Sequence, residues 1–548
     1  MSANIGRALI AQLQLRCALA LALLLSLTAC GGGGGGGENG GRAAPPISQS
    51  NSNAYVKGLF LPSQTFVNQC AMPRRNTDDM QGSILRENNY LRSLTNELYL
   101  WYRDVPDLDP GTFSDSLSYF DRLKTSAKTT SGADQDRFHF TIPTDEFESF
   151  FGAGVQAGYG LQLFFRRGSP PRDIVIAYIE PNSPAAVAGL ARGQRLLTID
   201  EVDAVNATSM AQIDVLNAAL SPQSLGEMHA FTFLDAGGTQ RPPVTLTSAN
   251  VTSVPVPNVR TLNTPAGLVG YLLFNDHIAT AEAGLVDAIN TLKASNVTDL
   301  VLDVRYNGGG FLDIASELAF MIAGTVPTAG QPFERIVFND KNPVTNPVTK
   351  EPLMPTPFYT RSLGFAPSLL RENVNLPALD MQRVFVLTTS ATCSASESII
   401  NALRGVGVDV IQIGSTTCGK PYGFFPHSNC GTTYFSIEFQ GLNAKNFGDY
   451  ADGFTPANAT GNVGARIPGC AVSDDFNHPL GDPAEAMLAA ALGQRAGANC
   501  PAAAAMLSAT SAVKARLGGN VSSGDGGMLK SPERQNRLLR RAAGWGMP

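Results

Sequence analysis

Residues 300–322 constrain the fold more than any other segment. Leu300-Val301-Leu302-Asp303-Val304 is a short apolar run with β-branched residues, the pattern of a strand buried on both faces. It runs into Arg305-Tyr306-Asn307-Gly308-Gly309-Gly310 and then into an apolar, helix-like stretch from Phe311 to Ile322. Consecutive glycines after a strand leave backbone N–H groups unhindered by Cβ atoms. The segment reads either as a plain strand-to-helix turn or as a main-chain oxyanion site. From about residue 254 to 500 strands and helices alternate, which predicts an α/β core. Gly270–Phe274 is a strand, and Thr280–Leu292 is a helix with Thr280 as N-cap. Asn429–Phe439 is a further strand. Asp482-Pro483-Ala484-Glu485 opens a last helix, with Asp482 as N-cap.

Within that core, Cys393-Ser394-Ala395-Ser396-Glu397 precedes Thr417-Cys418-Gly419-Lys420. Ser394 is a candidate nucleophile and Lys420 a candidate base. A serine hydroxyl needs a neighbour to take its proton. A lysine can do so only when neutral, a state that burial among apolar residues favours. The flanks are apolar, Val384–Leu387 before the serine and Val408–Ile413 before the lysine. The alternative is a Ser-Ala-Ser turn with an unrelated Gly-Lys downstream.

Taken together, Asp303-Val304-Arg305-Tyr306-Asn307-Gly308-Gly309-Gly310, Ser394-Ala395-Ser396-Glu397 and Thr417-Cys418-Gly419-Lys420 resemble the carboxy-terminal processing, or tail-specific, serine peptidases. Order and rough spacing both agree. The resemblance implies a ClpP/crotonase-like α/β peptidase core behind an amino-terminal helical region and a PDZ domain. It implies Ser394 as nucleophile, Lys420 as general base, and oxyanion N–H groups from Gly309 and Ala395. Ser396 matches the family's second, non-nucleophilic serine. One position departs: many members carry a glutamine four residues after the lysine, and here it is Phe424. The third catalytic member is therefore unassigned. Thr417 is the nearest hydroxyl by sequence, and nothing in the motif makes it an orienter.

The first 30 residues read as an export signal rather than part of the fold. Arg7 and Arg16 precede an apolar run from Cys17 to Leu27, and Leu27-Thr28-Ala29-Cys30 looks like a bacterial lipobox with Cys30 as the lipidated residue. The run is too short for a spanning helix. Gly31–Gly37 opens a Gly/Asn/Ser/Pro stretch with the composition of a flexible tether, to about residue 58. This predicts a lipid-anchored protein of the bacterial cell envelope, at the outer membrane and facing the periplasm. Setting aside Cys17 and Cys30 leaves an even set of cysteines, as an oxidising compartment permits. Short loops suggest the pairs Cys418–Cys430 and Cys470–Cys500.

At 548 residues the chain exceeds what one core usually supports. A net charge of −6 gives no reason to expect nucleic acid. The scattered histidines and the lack of a CxxC pair suggest no metal, and no cofactor is expected. His427, near the lysine loop, leaves a Ser-His arrangement open. Residues 81–140 look helical, with Tyr90, Leu91, Leu94, Leu98 and Trp101 at helical spacing, inside an amino-terminal region of 59–150. Residues 151–253 resemble a PDZ domain, which receives a chain terminus by strand addition. Gly158, Tyr159, Gly160 and Leu161 would form its carboxylate loop and strand. The core is taken as 254–500. The remainder, 501–548, is Ala/Gly-rich with a basic end, composed like a solvated tail. Expected partners are protein or peptide chains with accessible C-termini, and a bilayer held through Cys30. A peptide-binding lipoprotein without turnover is the alternative.

Overall fold

The computed structural model describes residues 55–222, 224–461, 463–501, 527–529 and 537–539. The signal segment, Cys30 and most of the tether lie outside the described residues. Among the described residues no helix is long and apolar enough to cross a membrane.

The amino-terminal region holds one substantial helix, α1 (Ile84–Leu98), capped by Ser83. Its buried face carries Tyr90, Leu91, Leu94 and Leu98, as the spacing predicts. The helical reading fails beyond it. The chain leaves the helix at Tyr99, which takes an extended ψ of 131°, and only short turns and a five-residue helix (Ser116–Phe120) follow before residue 140. A strand, β1 (Phe140–Pro143), closes the region.

Next comes an antiparallel sheet unit. Its elements are β2 (Val155–Gly158), β3 (Leu161–Arg167), β4 (Asp173–Ile179), α2 (Pro184–Val187), β5 (Arg195–Ile199), α3 (Met210–Leu220), β6 (Met228–Leu234), β7 (Val244–Thr247) and β8 (Ala249–Thr252). The sheet order runs β7-β6-β5-β4-β3. A core of its own, with Leu163, Phe165, Ile176, Leu196, Phe231 and Phe233, fills it.

The central layer is a six-stranded sheet. Its members are β9 (Asn258–Thr264), β10 (Gly267–Leu273), β11 (Asp299–Asp303), β14 (Arg383–Thr388), β15 (Asp409–Gly414) and β19 (Gly469–Ala471), in the order β9-β10-β11-β14-β15-β19. β9 is antiparallel to β10 and the rest are parallel. All of β11 is buried, as an apolar run in a covered parallel sheet requires. Helices α4 (Ala281–Ala294), α5 (Leu312–Ala323), α6 (Ala395–Gly405) and α7 (Ala486–Arg495) pack around it. Between β11 and α5 lies β12 (Gly309–Phe311). A second sheet joins β13 (Pro332–Phe338), β18 (Phe439–Leu442) and β16 (Tyr422–Gly423), while β17 (Thr432–Phe435) pairs with β1.

Several expectations are corrected. The strand predicted over 429–439 is broken at Cys430-Gly431, both at positive φ, so His427–Asn429 and β17 form a hairpin. The cap of α7 is Glu485, which accepts from Leu488 N–H, and not Asp482. Thr280 precedes α4 but makes no side-chain cap. Cys418 pairs with Cys393 and Cys430 with Cys70, replacing Cys418–Cys430; Cys470–Cys500 forms as expected. The tail contributes two strands in place of a wholly solvated end. They are β20 (Gly527–Leu529), beside β3, and β21 (Arg537–Leu539), beside β12.

Candidate active site

Ser394 sits where β14 turns into α6. It is a non-glycine residue at φ 60°, ψ −119°, at the N-cap of α6. Such backbone is strained by about 1–3 kcal/mol and persists where surrounding bonds over-determine it. They do so here. Cys393 N–H donates to Asn307 O at 3.0 Å, and Thr392 Oγ1 donates to Val304 O at 2.8 Å. The Ser394 hydroxyl is fully buried and makes no hydrogen bond. Ser396 is different: its hydroxyl donates to Asn307 O at 3.2 Å. One serine is therefore occupied in holding the turn and the other is not.

Lys420 is equally buried. Its Nζ lies 3.9 Å from the Phe424 ring centre and 5.2 Å from that of Phe138. Phe424 thus covers the amine with a ring face. Gly419, at φ 80°, must be glycine, since a Cβ there would lie 2.3 Å from Ala451 O. Arg137 steadies this turn from the amino-terminal region, donating to Cys418 O at 2.6 Å and Ala451 O at 2.9 Å.

Glu397 ties the two segments together. Its Oε2 accepts Ser394 N–H at 3.0 Å and Lys420 N–H at 2.8 Å. Its Oε1 accepts Gly419 N–H at 2.8 Å and the Thr417 hydroxyl at 2.5 Å. Burial pushes this carboxyl up, against the pull of the four donors. The Cys393–Cys418 disulfide bridges the same two segments covalently, and Cys418 N–H donates to Thr392 O at 3.0 Å. Thr417 is thereby spent on Glu397. The sequence contained a signal for Glu397, because Ser-x-x-Glu before an apolar run is a capping-box pattern. Here Glu397 supplies the arm to the Ser394 N–H, and the serine oxygen stays out of it.

The glycine turn meets the nucleophile through Asn307. Its Oδ1 accepts Gly309 N–H at 2.9 Å, while its Nδ2 donates to Phe274 O at 3.0 Å. With its amide so oriented, Asn307 Oδ1 must also accept from His277 Nδ1, 2.9 Å away. His277 is buried, its pKa lowered by that burial to about 3, so the ring is neutral. The Gly309 N–H is thus engaged by Asn307 in this state. Ala395, the first residue of α6, carries an N–H with no intrahelical acceptor. Gly310, at φ 142°, presses against His277 O, where a Cβ would lie at 2.3 Å. Arg305 is wholly buried and pairs with Asp303, Asp474 and Glu485, anchoring the start of the turn to α7.

In the sheet unit of residues 155–252, Gly160 takes φ 77° and its Cβ position is filled by Ser183. Tyr159 is buried against Phe231, and Leu161 opens β3 at the sheet edge. Gly158 ends β2. His427 pairs with Glu438 at 2.6 Å, which supplies that histidine with a partner of its own.

The chain is similar to known proteins in sequence and in fold. The family model for peptidase family S41 matches residues 268–425, a segment that contains Asn307, Ser394, Glu397 and Lys420. Three curated relatives carry the carboxyl-terminal processing name. The Picosynechococcus sp. protease is 26% identical over 277 residues, 49% of this chain and 55% of the relative. The chloroplastic peptidase of Tetradesmus obliquus is 29% identical over 180 residues, 31% of this chain and 38% of the relative. The chain spans about half or less of the length of these relatives. The crystal structure of a protein assigned to the S41 proteases, from Bacteroides fragilis NCTC 9343, superposes with a TM-score of 0.55 at 23% identity. It covers 78% of this chain and 99% of that one. Residues 268–425 are thus similar to the peptidase family S41, and the longer likeness to the Bacteroides fragilis structure is one of fold.

Proposed function

We propose that this chain is a serine endopeptidase of the carboxy-terminal processing kind, with Ser394 as nucleophile and Lys420 as general base. The observation that carries the reading is the Glu397 clamp, which binds the backbone of both residues with one carboxylate. In this mechanism a neutral Lys420 takes the Ser394 proton as the hydroxyl attacks a substrate carbonyl. The oxyanion is met by the Ala395 N–H and by Gly309, once Gly309 exchanges Asn307 for the substrate oxygen. Lys420 gives the Ser394 proton to the leaving amine as the peptide bond breaks. The acyl group left on Ser394 passes to water in the second half, with Lys420 taking the water proton and returning one to Ser394. The strand edge at β3, with the Gly158–Leu161 loop, is read as a PDZ surface that captures substrate tails. Three disulfides fit an oxidising compartment such as the periplasm, and Cys30 is read as the lipid anchor.

The test is cleavage of a protein substrate with an accessible C-terminus. Ser394→Ala should lose activity by at least a thousandfold, whereas Ser396→Ala keeps a large part of it. Ser396 proving to be the essential residue would overturn the assignment. A folded wild-type chain that binds tails but neither cleaves them nor reacts with a serine-acylating probe would favour the binding lipoprotein.

A further inference from the structure

Two strand edges in this molecule would stand open without the end of its own chain. β3 is the last strand of its sheet, and an unpaired edge offers a row of free N–H and C=O groups. β20 fills it antiparallel, Gly527 opposite Phe165, Met528 opposite Phe164 and Leu529 opposite Leu163. The second edge is β12, the glycine strand next to the nucleophile. β21 pairs with it in parallel, Arg537 opposite Gly309, Leu538 opposite Gly310 and Leu539 opposite Phe311. The other side of β12 is already taken by His277. β21 also lies against β16, which begins two residues after Lys420. The chain end therefore runs between the oxyanion strand and the lysine segment.

The polarity is consistent along the path. β20 runs toward the Leu161 end of β3, where the glycine loop lies, and β21 begins eight residues later. Eight residues reach up to about 26 Å when extended.

We infer that the β3 edge and the β12 edge form one track for an extended peptide, and that residues 527–529 and 537–539 of this chain are its resident occupants. The inference deepens the peptidase reading and rests on it for the meaning of the track. A substrate tail must displace this segment before it can reach Ser394. Tethering gives the segment an effective concentration of order millimolar. A peptide of ~10 μM affinity in trans would then occupy the track about 99% of the time in cis.

The experiment uses the full chain in a Ser394→Ala background, with and without the pair Met528→Pro and Leu538→Pro. Proline cannot donate to a ladder, so the pair should release the tail. A fluorescein-labelled peptide of residues 524–541 is titrated into each and followed by anisotropy. The proline variant should bind it at least tenfold more tightly than the chain with its native tail. Equal binding by both chains, or no saturable binding by either, would overturn the inference. With Ser394 restored, the proline variant should also cleave a reporter peptide at least tenfold faster, and added tail peptide should reverse the gain. Equal cleavage by the two chains would overturn the inference as well. If neither chain cleaves or reacts with an acylating probe, the peptidase reading fails, and the anisotropy result still judges the track.

Discussion

Replacing Glu397 with glutamine tests the clamp at its centre. The carboxylate accepts four donors, two on each oxygen. An amide keeps one acceptor oxygen and turns an NH2 toward the other pair. The cheapest orientation points the NH2 at Thr417, whose hydroxyl can rotate to accept, and strands the Gly419 N–H. One buried unsatisfied donor costs about 1–3 kcal/mol, and losing charge-assisted bonds to the rest adds about 1 kcal/mol. The neutral amide avoids part of the burial penalty that raises the carboxyl, which offsets part of that loss. The net expectation is a loss of about 1–3 kcal/mol, read from urea unfolding followed by circular dichroism. Because the clamp sets the spacing of the Ser394 and Lys420 backbones, misplacement by even 1 Å should slow Ser394 acylation by ~100-fold in protein that is still folded. A Glu397→Gln chain within about 0.5 kcal/mol of wild type in stability, and acylated at the same rate, would refute the reasoning.

Three further outcomes follow from the same geometry. The pair Cys393→Ala and Cys418→Ala opens a loop of 25 residues and should cost about 3 kcal/mol by loop entropy; it should also slow acylation of Ser394, and unchanged acylation would remove any positioning role for the bridge. Glu317, beside Glu282 on the Leu363 N–H, has its carboxyl pushed up to about 10 by burial and by that neighbour's charge. A raised acid contributes stability below its ordinary value and loses it as pH rises, so Glu317→Gln should gain in Tm over wild type between pH 5 and pH 8; a constant gap would contradict this. His277 is held neutral, with its pKa lowered to about 3 by burial. Its contribution is full above the ordinary 6.5 and is lost as pH falls toward 3, at about 1.4 kcal/mol per unit. The stability advantage of wild type over His277→Gln should thus shrink by about 2–3 kcal/mol between pH 6.5 and 4.5, which urea midpoints at the two values would check.

The parts legible in the sequence were those with a strong local signature. The β11 run, the glycine turn and α5 lie where their pattern indicates, because a fully buried parallel strand leaves a continuous apolar run. Ser394 and Lys420 were legible as motif residues. Of what holds them together only Glu397 had a local signal, and the rest depends on contacts distant in sequence. Asn307 reaches residues 393 and 396 through its carbonyl, and Arg137 reaches residue 418 across 281 positions. The Cys70–Cys430 bridge spans 360 positions, so loop length could not suggest it. The helical reading of 99–140 gave way to short turns and one five-residue helix, and Asp482 lost the cap of α7 to Glu485, which Arg305 holds in place. The pairing of the basic tail with β3 and β12 had no local pattern to announce it, since strand addition to an open edge is satisfied by main chain.

The central claim is that Ser394 is a nucleophile activated by Lys420. Its most direct test is reaction of the folded chain with a fluorophosphonate probe, followed by peptide mapping, in wild type and in Lys420→Arg. Guanidinium stays protonated at any usable pH and cannot serve as the base. The account predicts a single adduct on Ser394 in wild type and its loss in Lys420→Arg. An adduct on Ser396, or equal labelling of Ser394 in the arginine variant, would contradict it.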